Sequence, residues 1–384
     1  MNQIEKGIKR LGLNHLFLKW ICFQNRRGKG TYKSENCDHQ NKYDRDKLEG
    51  YWPDQGKSAV RKAMEAGEKT RIPAALTIIV PVYQAEAYIR RCAESLAAQK
   101  TAFLYRVIFV DDGTKDKSFE KISDLLKGME QFFVVRQENK GLSGARNRGI
   151  SCVETEYVCF VDADDFVSED MVELLMKRAV KTGADITVGN FSYYYEENGK
   201  LRENPMSDGL AEDPYRLPGI ACGKVFRASL FDQIKFPEGY LYEDSVVKHV
   251  LFPMASRIQC VEKTVYFYRM HKKSLSSTAK VLPRCVDSTW ITIRMLKDRK
   301  ILGLPVSEEY KKYFLRQTAM NYQREAVVPE EIRYQVFLLM CSLANEMMPV
   351  PFSRKEDEKS PEGCLRRALL REDYRTYKRL CRWM

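Results

Sequence analysis

Acidic residues follow two mostly apolar runs of this sequence, each at the point where the run ends. Tyr105–Val110 is followed by Asp-Asp-Gly at 111–113, and Tyr157–Val161 by Asp-Ala-Asp-Asp at 162–165. Crowded carboxylates repel one another unless a cation joins them, and Mg²⁺ and Mn²⁺ prefer carboxylate and phosphate oxygens. The two motifs together predict a divalent metal that carries a phosphorylated ligand. Acidic residues also cap helices, and this second interpretation stays open for each motif alone.

The elements that position these acids alternate along the chain. Short apolar runs predict strands at Leu76–Val82, Tyr105–Val110, Phe132–Arg136, Tyr157–Val161 and Ile186–Tyr195. Residues with helical spacing predict helices at Ala85–Gln99, Phe119–Leu126, Gly141–Cys152 and Glu169–Thr182. Such alternation is typical of a doubly wound, mostly parallel sheet, in which ligands bind beyond the carboxyl ends of the strands. Both acidic motifs should therefore lie at the ligand-binding edge.

The chain outside this alternating pattern predicts two further regions. Residues 1–75 are read as a basic N-terminal extension and linker, residues 76–280 as the α/β domain, and residues 281–384 as a helical C-terminal region. The predicted helices of the last region are Thr289–Asp298, Ser307–Ala326, Glu331–Met347 and Gly363–Trp383.

Positive charge concentrates at the two ends of the chain. The net charge is +12; residues 1–75 carry sixteen Lys and Arg against nine Asp and Glu, and residues 353–384 carry ten against six. Ile4–Arg27 also mixes apolar and basic residues, as an amphipathic helix on an anionic membrane does. Basic ends that serve only as solvated faces are the alternative.

Cysteine usage and hydropathy indicate the compartment. The eleven cysteines form no C-x-x-C pair, which favours reduced thiols over a disulfide framework or a zinc site. The sequence shows no signal peptide, and its best apolar run, Leu16–Phe23, is far shorter than a membrane span. We therefore expect a cytoplasmic protein, peripheral on the inner face of the plasma membrane.

Several segments, taken in order, resemble family 2 glycosyltransferases of the GT-A fold. They are Thr77–Tyr83, Val110–Thr114, Asn139–Ile150, Phe160–Asp165, Gly223–Arg227, Phe236–Asp244 and Tyr266–His271. The resemblance implies a Rossmann-like, mostly parallel nucleotide-diphospho-sugar transferase domain. It also implies inverting, metal-dependent transfer of a hexosyl or N-acetylhexosaminyl group. The donor would be a nucleotide-diphosphate sugar, first of all a UDP-sugar, and the acceptor a hydroxyl of a glycan or lipid-linked molecule in cell-surface polysaccharide synthesis.

The resemblance assigns the nucleoside end of the donor to the first two loops. Pro81 and Tyr83 match the loop beside the donor base, where an aromatic ring can stack on a pyrimidine. Asp112 matches the carboxylate that accepts a hydrogen bond from uracil N3–H. Gly141 opens a helix whose backbone N–H groups can meet the nucleotide. Family members commonly have Asn where this chain has Gln84, which leaves that side chain without an assigned role.

The resemblance assigns the metal to the second acidic motif, a D-x-D sequence with the ribose and metal as ligands. Asp162 is placed at the nucleotide, and Asp164 and Asp165 at Mn²⁺ or Mg²⁺, although spacing alone does not decide which of the three binds metal directly. His271 is a further candidate ligand, with an ordinary histidine as the alternative. Arg146 is expected to pair with the strand-end carboxylates.

Asp244 matches the general base of inverting family members. Such a base takes the proton of the acceptor hydroxyl as its oxygen attacks the anomeric carbon. An acidic pair at a helix N-terminus is the alternative interpretation of this position. Arg269 and Ser274 match positions that contact the pyrophosphate.

Two other functional classes are alternatives to this prediction. A sugar nucleotidyltransferase grips a triphosphate with a Gly-rich, basic loop after its first strand, but residues 81–86 contain no Gly, Lys or Arg. A non-catalytic protein that binds a membrane or nucleic acid through its basic ends is the second class. The nearly neutral middle with acidic strand ends is unsuited to a phosphate backbone, so we expect no nucleic-acid partner.

Overall fold

A computed structural model describes residues 57–60, 71–271 and 283–384. These residues form two compact units. The sheet unit contains the described residues between 57 and 271 together with 291–304. The helical unit contains residues 283–290 and 305–384.

The sheet unit is built on ten strands. They are β1 Ile72–Val82, β2 Tyr105–Asp111, β3 Phe132–Arg136, β4 Thr155–Phe160, β5 Phe166–Val167, β6 Ile186–Tyr195, β7 Lys200–Glu203, β8 Gly209–Leu210, β9 Lys224–Arg227 and β10 Ile258–Met270. Their order is β3-β2-β1-β4-β9-β6-β10-β5, with β7 beside β6 and β8 beside β10. β3, β2, β1 and β4 are parallel neighbours, β6 and β10 are parallel, and β9 runs antiparallel between β4 and β6. The predicted α/β fold with a mostly parallel sheet is confirmed.

Helices connect these strands. Within the sheet unit they are α1 Ile89–Ala97, α2 Ser118–Lys121, α3 Ser123–Gly128, α4 Gly141–Ser151, α5 Met171–Thr182 and α6 Phe252–Met254. The next helix, α7 Asp287–Ile301, has residues in both units. The helical unit continues with α8 Glu308–Arg324, α9 Glu330–Met347, α10 Lys355–Lys359, α11 Pro361–Leu370 and α12 Tyr374–Cys381. The predicted helical C-terminal region is confirmed.

Three predicted helices differ from the structure for local reasons. The helix expected over Ala85–Gln99 spans only Ile89–Ala97, and the N–H groups of Ala85 and Glu86 before it donate to side chains of the next loop. The helix expected at 119–126 is divided at buried Ile122. The single helix expected over 363–383 is broken at Glu372, where φ is 53°.

The core of the sheet unit forms around β1. Leu76, Ile78, Ile79 and Val80 are consecutive or nearly so and all fully buried, as expected for a parallel strand covered on both faces. Helix α4 packs closely on this strand at Gly149. A Cβ atom there would lie 2.4 Å from Ile79 Cγ2, so glycine permits the close approach of helix and strand.

Replacing Gly149 should therefore weaken the fold. We expect Gly149→Ala to lower the free energy of unfolding by about 1 kcal/mol, because overpacking costs ~1–3 kcal/mol and the better helix propensity of Ala returns ~1 kcal/mol. Urea denaturation measures the change. The matched control is Gly128→Ala at the exposed end of α3, where an added Cβ has no neighbour within 4 Å. Equal stability of the two variants would contradict the packing argument.

The sheet unit extends beyond both predicted domain boundaries. It includes residues 57–60, before the boundary at 75, and residues 291–304, after the boundary at 281. Ser58 donates to Asp298 through its hydroxyl at 2.6 Å, and the Ala59 N–H donates to the other carboxylate oxygen at 2.8 Å. Val60 forms a bridge with Ile234, and the Ala59 carbonyl accepts from the N–H of Lys235 at 2.7 Å. Residues 57–60 thus hold the segment that leads toward Glu243 and Asp244.

The helical unit has its own aromatic core. The ring of Tyr377 on α12 lies 4.8 Å from that of Phe337 on α9 and 5.5 Å from that of Tyr322 on α8. Glu325 is buried in this unit, accepts a hydrogen bond from the Thr289 hydroxyl at 2.6 Å, and has its pKa raised by burial to about 7. Within the described ranges, no helix has the length and apolarity that a bilayer crossing requires.

Candidate active site

The carboxyl ends of β1, β2 and β4 lie side by side, and the residues that follow them define the site. Tyr83 follows β1, Asp112 follows β2, and Asp162 comes shortly after β4. Because β1 lies between β2 and β4 in a parallel arrangement, these three loops share one edge of the sheet. The predicted strand-end positions of the two acidic motifs agree with this topology.

Arg146 joins three carboxylates from two other segments. Its side chain is fully buried on α4. Nη2 donates to Asp162 Oδ1 at 2.9 Å, while Nη1 donates to Glu243 Oε1 at 2.7 Å and to Asp244 Oδ1 at 3.0 Å. The expected pairing of Arg146 with strand-end carboxylates is observed for Asp162. Its contacts with Glu243 and Asp244 bring the candidate base to the same site.

The charges of this cluster do not cancel. Burial favours neutral Arg146, but Asp162, Asp244 and Glu243 raise its pKa well above the ordinary value. The pKa of Glu243 is raised from 4.5 to about 7, first by burial and then by the charge on Asp244, against the effect of Arg146. Burial also raises the pKa of Asp162. One guanidinium faces three acids, so the folded cluster holds protons more tightly than isolated carboxyl groups do.

The raised pKa of Glu243 predicts a pH-dependent stability. The folded protein holds the Glu243 proton more tightly than the unfolded chain, so this contribution is present below pH 4.5 and is lost as the pH rises through about 7. It amounts to on the order of 3 kcal/mol at 1.36 kcal/mol per pKa unit. Glu243→Gln should flatten the decline of stability between pH 4.5 and pH 7.

Urea denaturation at a series of pH values measures this slope. Glu154→Gln is the matched control, because the Glu154 side chain is 70% exposed and pairs with Arg106 outside the site. An unchanged slope in Glu243→Gln would contradict the raised pKa.

Asp112 is held through one oxygen. The residue is 2% exposed; Oδ1 accepts from Gln137 Nε2 at 2.7 Å and from the Lys140 N–H at 2.9 Å. Oδ2 accepts no hydrogen bond from the part of the chain that the structure describes, which leaves it for a ligand. Sequence reasoning missed Gln137, because nothing in its type or spacing marks it as the residue that orients this carboxylate.

Two backbone conformations shape the nucleoside side of the site. Gly141 begins α4 with φ 72°, and an added Cβ would meet no atom within 4 Å, so backbone freedom rather than space requires glycine there. Gln84 has φ 50°, a conformation that Asn adopts more readily than Gln. Tyr83 beside it is 50% exposed and can receive a flat ring, whereas Pro81 lies within β1 opposite Val110.

Asp165 is engaged within the protein. Its Oδ1 accepts from the Arg269 N–H at 2.7 Å, and its Oδ2 accepts from the Tyr266 hydroxyl at 2.5 Å. Burial raises its pKa well above the ordinary value, and the charges of Asp164 and Asp162 add to the rise. These two hydrogen bonds brace the acidic loop, and the direct contact of Asp165 with a metal stays a prediction.

Asp164 presents its carboxylate beside His271. The Asp164 side chain is partly exposed, and its Oδ2 lies 3.0 Å from His271 Nε2. The other ring nitrogen of His271 lies 3.3 Å from the Tyr88 hydroxyl. These contacts orient the imidazole toward Asp164, so two of the three predicted metal ligands are neighbours.

Arg269 binds the 162–165 loop through hydrogen bonds. Its Nε donates to the Asp164 carbonyl at 2.6 Å, and its Nη1 lies 3.5 Å from Glu196 Oε1. The guanidinium also lies 5.1–5.6 Å from three ring centroids, those of Tyr88, Phe166 and Tyr194. Arg269 is 6% exposed, and its contact with the pyrophosphate stays a prediction. Ser274, the other predicted pyrophosphate contact, lies outside the described residues.

The donor set fits a metal that is shared with a phosphorylated ligand. In residues 57–60, 71–271 and 283–384 no group of three or more His, Cys, Asp or Glu is arranged to hold a metal by itself. Asp164 Oδ2 and His271 Nε2 lie 3.0 Å apart, so a metal held by both would replace the hydrogen bond between them. Nucleotide-associated Mg²⁺ typically takes only one or two protein carboxylates and completes its shell with phosphates and water.

Sequence comparison identifies the domain that carries this site. Residues 77–235 match the model of glycosyl transferase family 2. The chain carries a glycosyltransferase family 2 domain. Arg146, Asp112 and the 162–165 motif all lie within the matched range, and Asp244 follows it. This membership argues against the nucleotidyltransferase alternative.

Two bacterial glycosyltransferases are similar to this chain over much of its length. It is 31% identical to glycosyltransferase GlyA of Streptococcus pneumoniae serotype 4 over 303 residues, which cover 73% of this chain but only 42% of GlyA. It is 28% identical to glycosyltransferase GlyG of the same organism, covering 60% of this chain and 83% of GlyG.

Structure comparison confirms the GT-A fold of the family 2 domain. The crystal structure of residues 1–349 of S. aureus TarS in complex with UDP-GlcNAc superposes with a TM-score of 0.60. The match covers 80% of this chain and 90% of that one at 19% identity. At this identity the likeness establishes the fold alone.

Proposed function

We propose that this protein is an inverting glycosyltransferase that moves a sugar from a UDP-sugar to a hydroxyl of a glycan or lipid-linked acceptor. The observation that carries the proposal is the way Asp244 is held. Oδ1 accepts from Arg146 Nη1 at 3.0 Å and from the Ala221 N–H at 3.2 Å, while Oδ2 accepts from none of the described residues. The side chain is 30% exposed, so this second oxygen can meet an acceptor.

The arrangement suits a single displacement. Oδ2 of Asp244 takes the proton of the acceptor hydroxyl. At the same time the acceptor oxygen forms its bond to the anomeric carbon, and the bond between the anomeric carbon and the diphosphate oxygen breaks. Attack on the face opposite to the leaving group inverts the configuration. Arg146 holds Asp244 and Asp162 at once, and so fixes the base relative to the loop proposed to bind the donor.

The nucleoside is assigned to the loops after β1 and β2. Oδ2 of Asp112 is suited to accept from uracil N3–H, and the exposed ring of Tyr83 to stack on the base. TarS, a protein of the same fold, has been crystallised in complex with UDP-GlcNAc, which supports a UDP-sugar as the donor. Asp162 is proposed at the ribose.

A divalent metal, Mn²⁺ or Mg²⁺, is proposed as the cofactor. When bound, it neutralises the charge that develops on the departing diphosphate. Asp164 and His271 would hold it, and Asp165 and Arg269 would keep the loop in place through their contacts with each other and with the Asp164 carbonyl.

UDP binding should depend on the metal. We expect the affinity for UDP, measured by calorimetry, to fall tenfold or more when Mn²⁺ is replaced by EDTA. Asp164→Ala should bind UDP equally weakly under both conditions, because its metal ligand is missing, whereas Asp170→Ala on a loop outside the site should behave as the wild type. Equal affinity of the wild type with Mn²⁺ and with EDTA would contradict the proposed cofactor.

Asp244→Asn should lower turnover by about 10²–10⁴-fold, the usual contribution of general base catalysis, while the affinity for UDP is kept. The measurement is release of UDP from UDP-N-acetylglucosamine, UDP-glucose or UDP-galactose with Mn²⁺, using the donor that the wild type hydrolyses fastest. Asp232→Asn is the matched control, because its side chain is 29% exposed and pairs with Arg71 away from the site. Turnover near wild type in Asp244→Asn would show that the base lies elsewhere.

The acceptor is proposed to lie at the inner face of the plasma membrane, in cell-surface polysaccharide synthesis. The N-terminal segment expected to contribute, residues 4–27, is outside the described residues. In the helical unit, Arg375 and Arg382 are exposed on or next to α12, whereas Leu380 and Cys381 are buried. The C-terminal helix thus packs in its unit through one side and presents basic side chains on the other.

Full-length protein should sediment with anionic vesicles at low salt and be released at high salt. Arg375→Gln/Arg382→Gln should weaken this binding by up to about 30-fold, because each basic residue near an anionic leaflet contributes ~1 kcal/mol. The matched control is Lys177→Gln/Lys181→Gln on α5, which removes the same charge from exposed positions of the sheet unit. If both double variants sediment as the wild type does, the C-terminal helix is not part of the attachment.

A further inference from the structure

A buried lysine with no role in the proposed chemistry directly follows the turn that contacts the candidate base. Lys224 begins β9 and is 1% exposed. Its Nζ donates to the carbonyl of Ile220 at 2.6 Å and lies 3.4 Å from that of Cys222. Burial lowers its pKa to about 8. Among the described residues it forms no salt bridge, so its burial is offset by its hydrogen bonds to these carbonyls and by the nearby charge of Asp244.

One of these carbonyls belongs to the peptide group that anchors Asp244. The Ile220 carbonyl and the Ala221 N–H are the two sides of a single peptide group; Lys224 binds the carbonyl, and the N–H donates to Asp244 Oδ1 at 3.2 Å. On the other side of the turn, Gly223 has φ 67° and its carbonyl accepts from the Gly189 N–H of β6 at 2.9 Å. Lys224 therefore fixes one end of a short turn whose other end is fixed by the sheet.

We propose that Lys224 is a positioning residue for Asp244: by holding the carbonyls of Ile220 and Cys222, it places the Ala221 N–H that fixes Oδ1 and turns Oδ2 toward the acceptor. The inference rests on the proposed function, in which Asp244 is the base. Arg146 is the other anchor of Oδ1 but also binds Glu243 and Asp162. Only the Ala221 anchor can be loosened without breaking that cluster.

Loosening this anchor should affect the chemical step and not the binding of the donor. A base that rotates away from the productive geometry lowers kcat, whereas the nucleoside is held by loops after β1 and β2 that Lys224 does not contact. We expect Lys224→Met to lower kcat for UDP-sugar hydrolysis 10–100-fold, with KM for the donor and Kd for UDP within twofold of the wild type.

A general loss of stability is controlled for on the same strand. Val225→Ala removes buried volume next to Lys224 but no bond to the turn. Its thermal stability should fall while kcat is kept. If Val225→Ala loses kcat as Lys224→Met does at similar stability, the effect is structural and the inference is wrong.

A double-mutant cycle with Asp244→Asn tests whether Lys224 acts through the base. We expect Lys224→Met/Asp244→Asn to be no slower than Asp244→Asn, since there is no base left to position. Multiplied losses in the double variant would overturn the inference. If Lys224→Met is fully active while Asp244→Asn is impaired, the inference about Lys224 is wrong but the proposed function stands. If Asp244→Asn is fully active, the proposed function is wrong as well.

A second variant addresses the same turn if Lys224→Met does not fold. Gly223→Ala introduces a side chain at φ 67°, where its Cβ would lie 3.2 Å from Tyr266 Cβ, and so displaces the turn without removing the lysine. It should show the same loss of kcat with UDP affinity retained. Wild-type kcat in a folded Gly223→Ala protein would overturn the inference.

Discussion

A single buried guanidinium connects the parts of the site that are far apart in sequence. Arg146 leaves helix α4 and meets Asp162 from the loop after β4, and Glu243 and Asp244 from the segment before α6. Breaking a buried cluster by removing one partner commonly costs ~3–5 kcal/mol, because the charges left behind remain out of water. The 162–165 loop and Asp244 can therefore not move independently.

The sheet brings its loops to this guanidinium in two different ways. The parallel strands β2, β1 and β4 carry their loops to one edge by topology alone. The short antiparallel strand β9 then separates β4 from β6 and brings its preceding turn, 220–223, to Asp244. Side chains of α4 complete the assembly, since Ser143 and Asn147 donate to the carbonyls of Pro237 and Phe236.

The sequence predicted the parts of this site that depend on local pattern. Buried parallel strands are apolar throughout, so their ends, and with them Asp112 and the 162–165 motif, could be placed from the run lengths. The difference between Asp164 and Asp165 could not, because it is decided by Arg269 and Tyr266, 104 and 101 residues away from Asp165. Gln137 and Lys224 were missed for a related reason. Their roles depend on which oxygen atom each side chain reaches, and neither residue type indicates a partner.

The hydrogen bonds of Asp298 with Ser58 and Ala59 have a consequence for protein synthesis. They join residues 240 and 239 positions apart, so the sheet unit cannot close until the ribosome has passed Asp298. At ~5–20 residues per second, this is roughly 12–48 seconds after Ser58 is made. Until then the nascent chain lacks the hydrogen bonds from Asp298 to residues 57–60. Residues 57–60 in turn hold the segment around Lys235 that leads to Asp244. The growing polypeptide thus acquires a finished catalytic edge late, well after every residue of the family 2 domain has been translated.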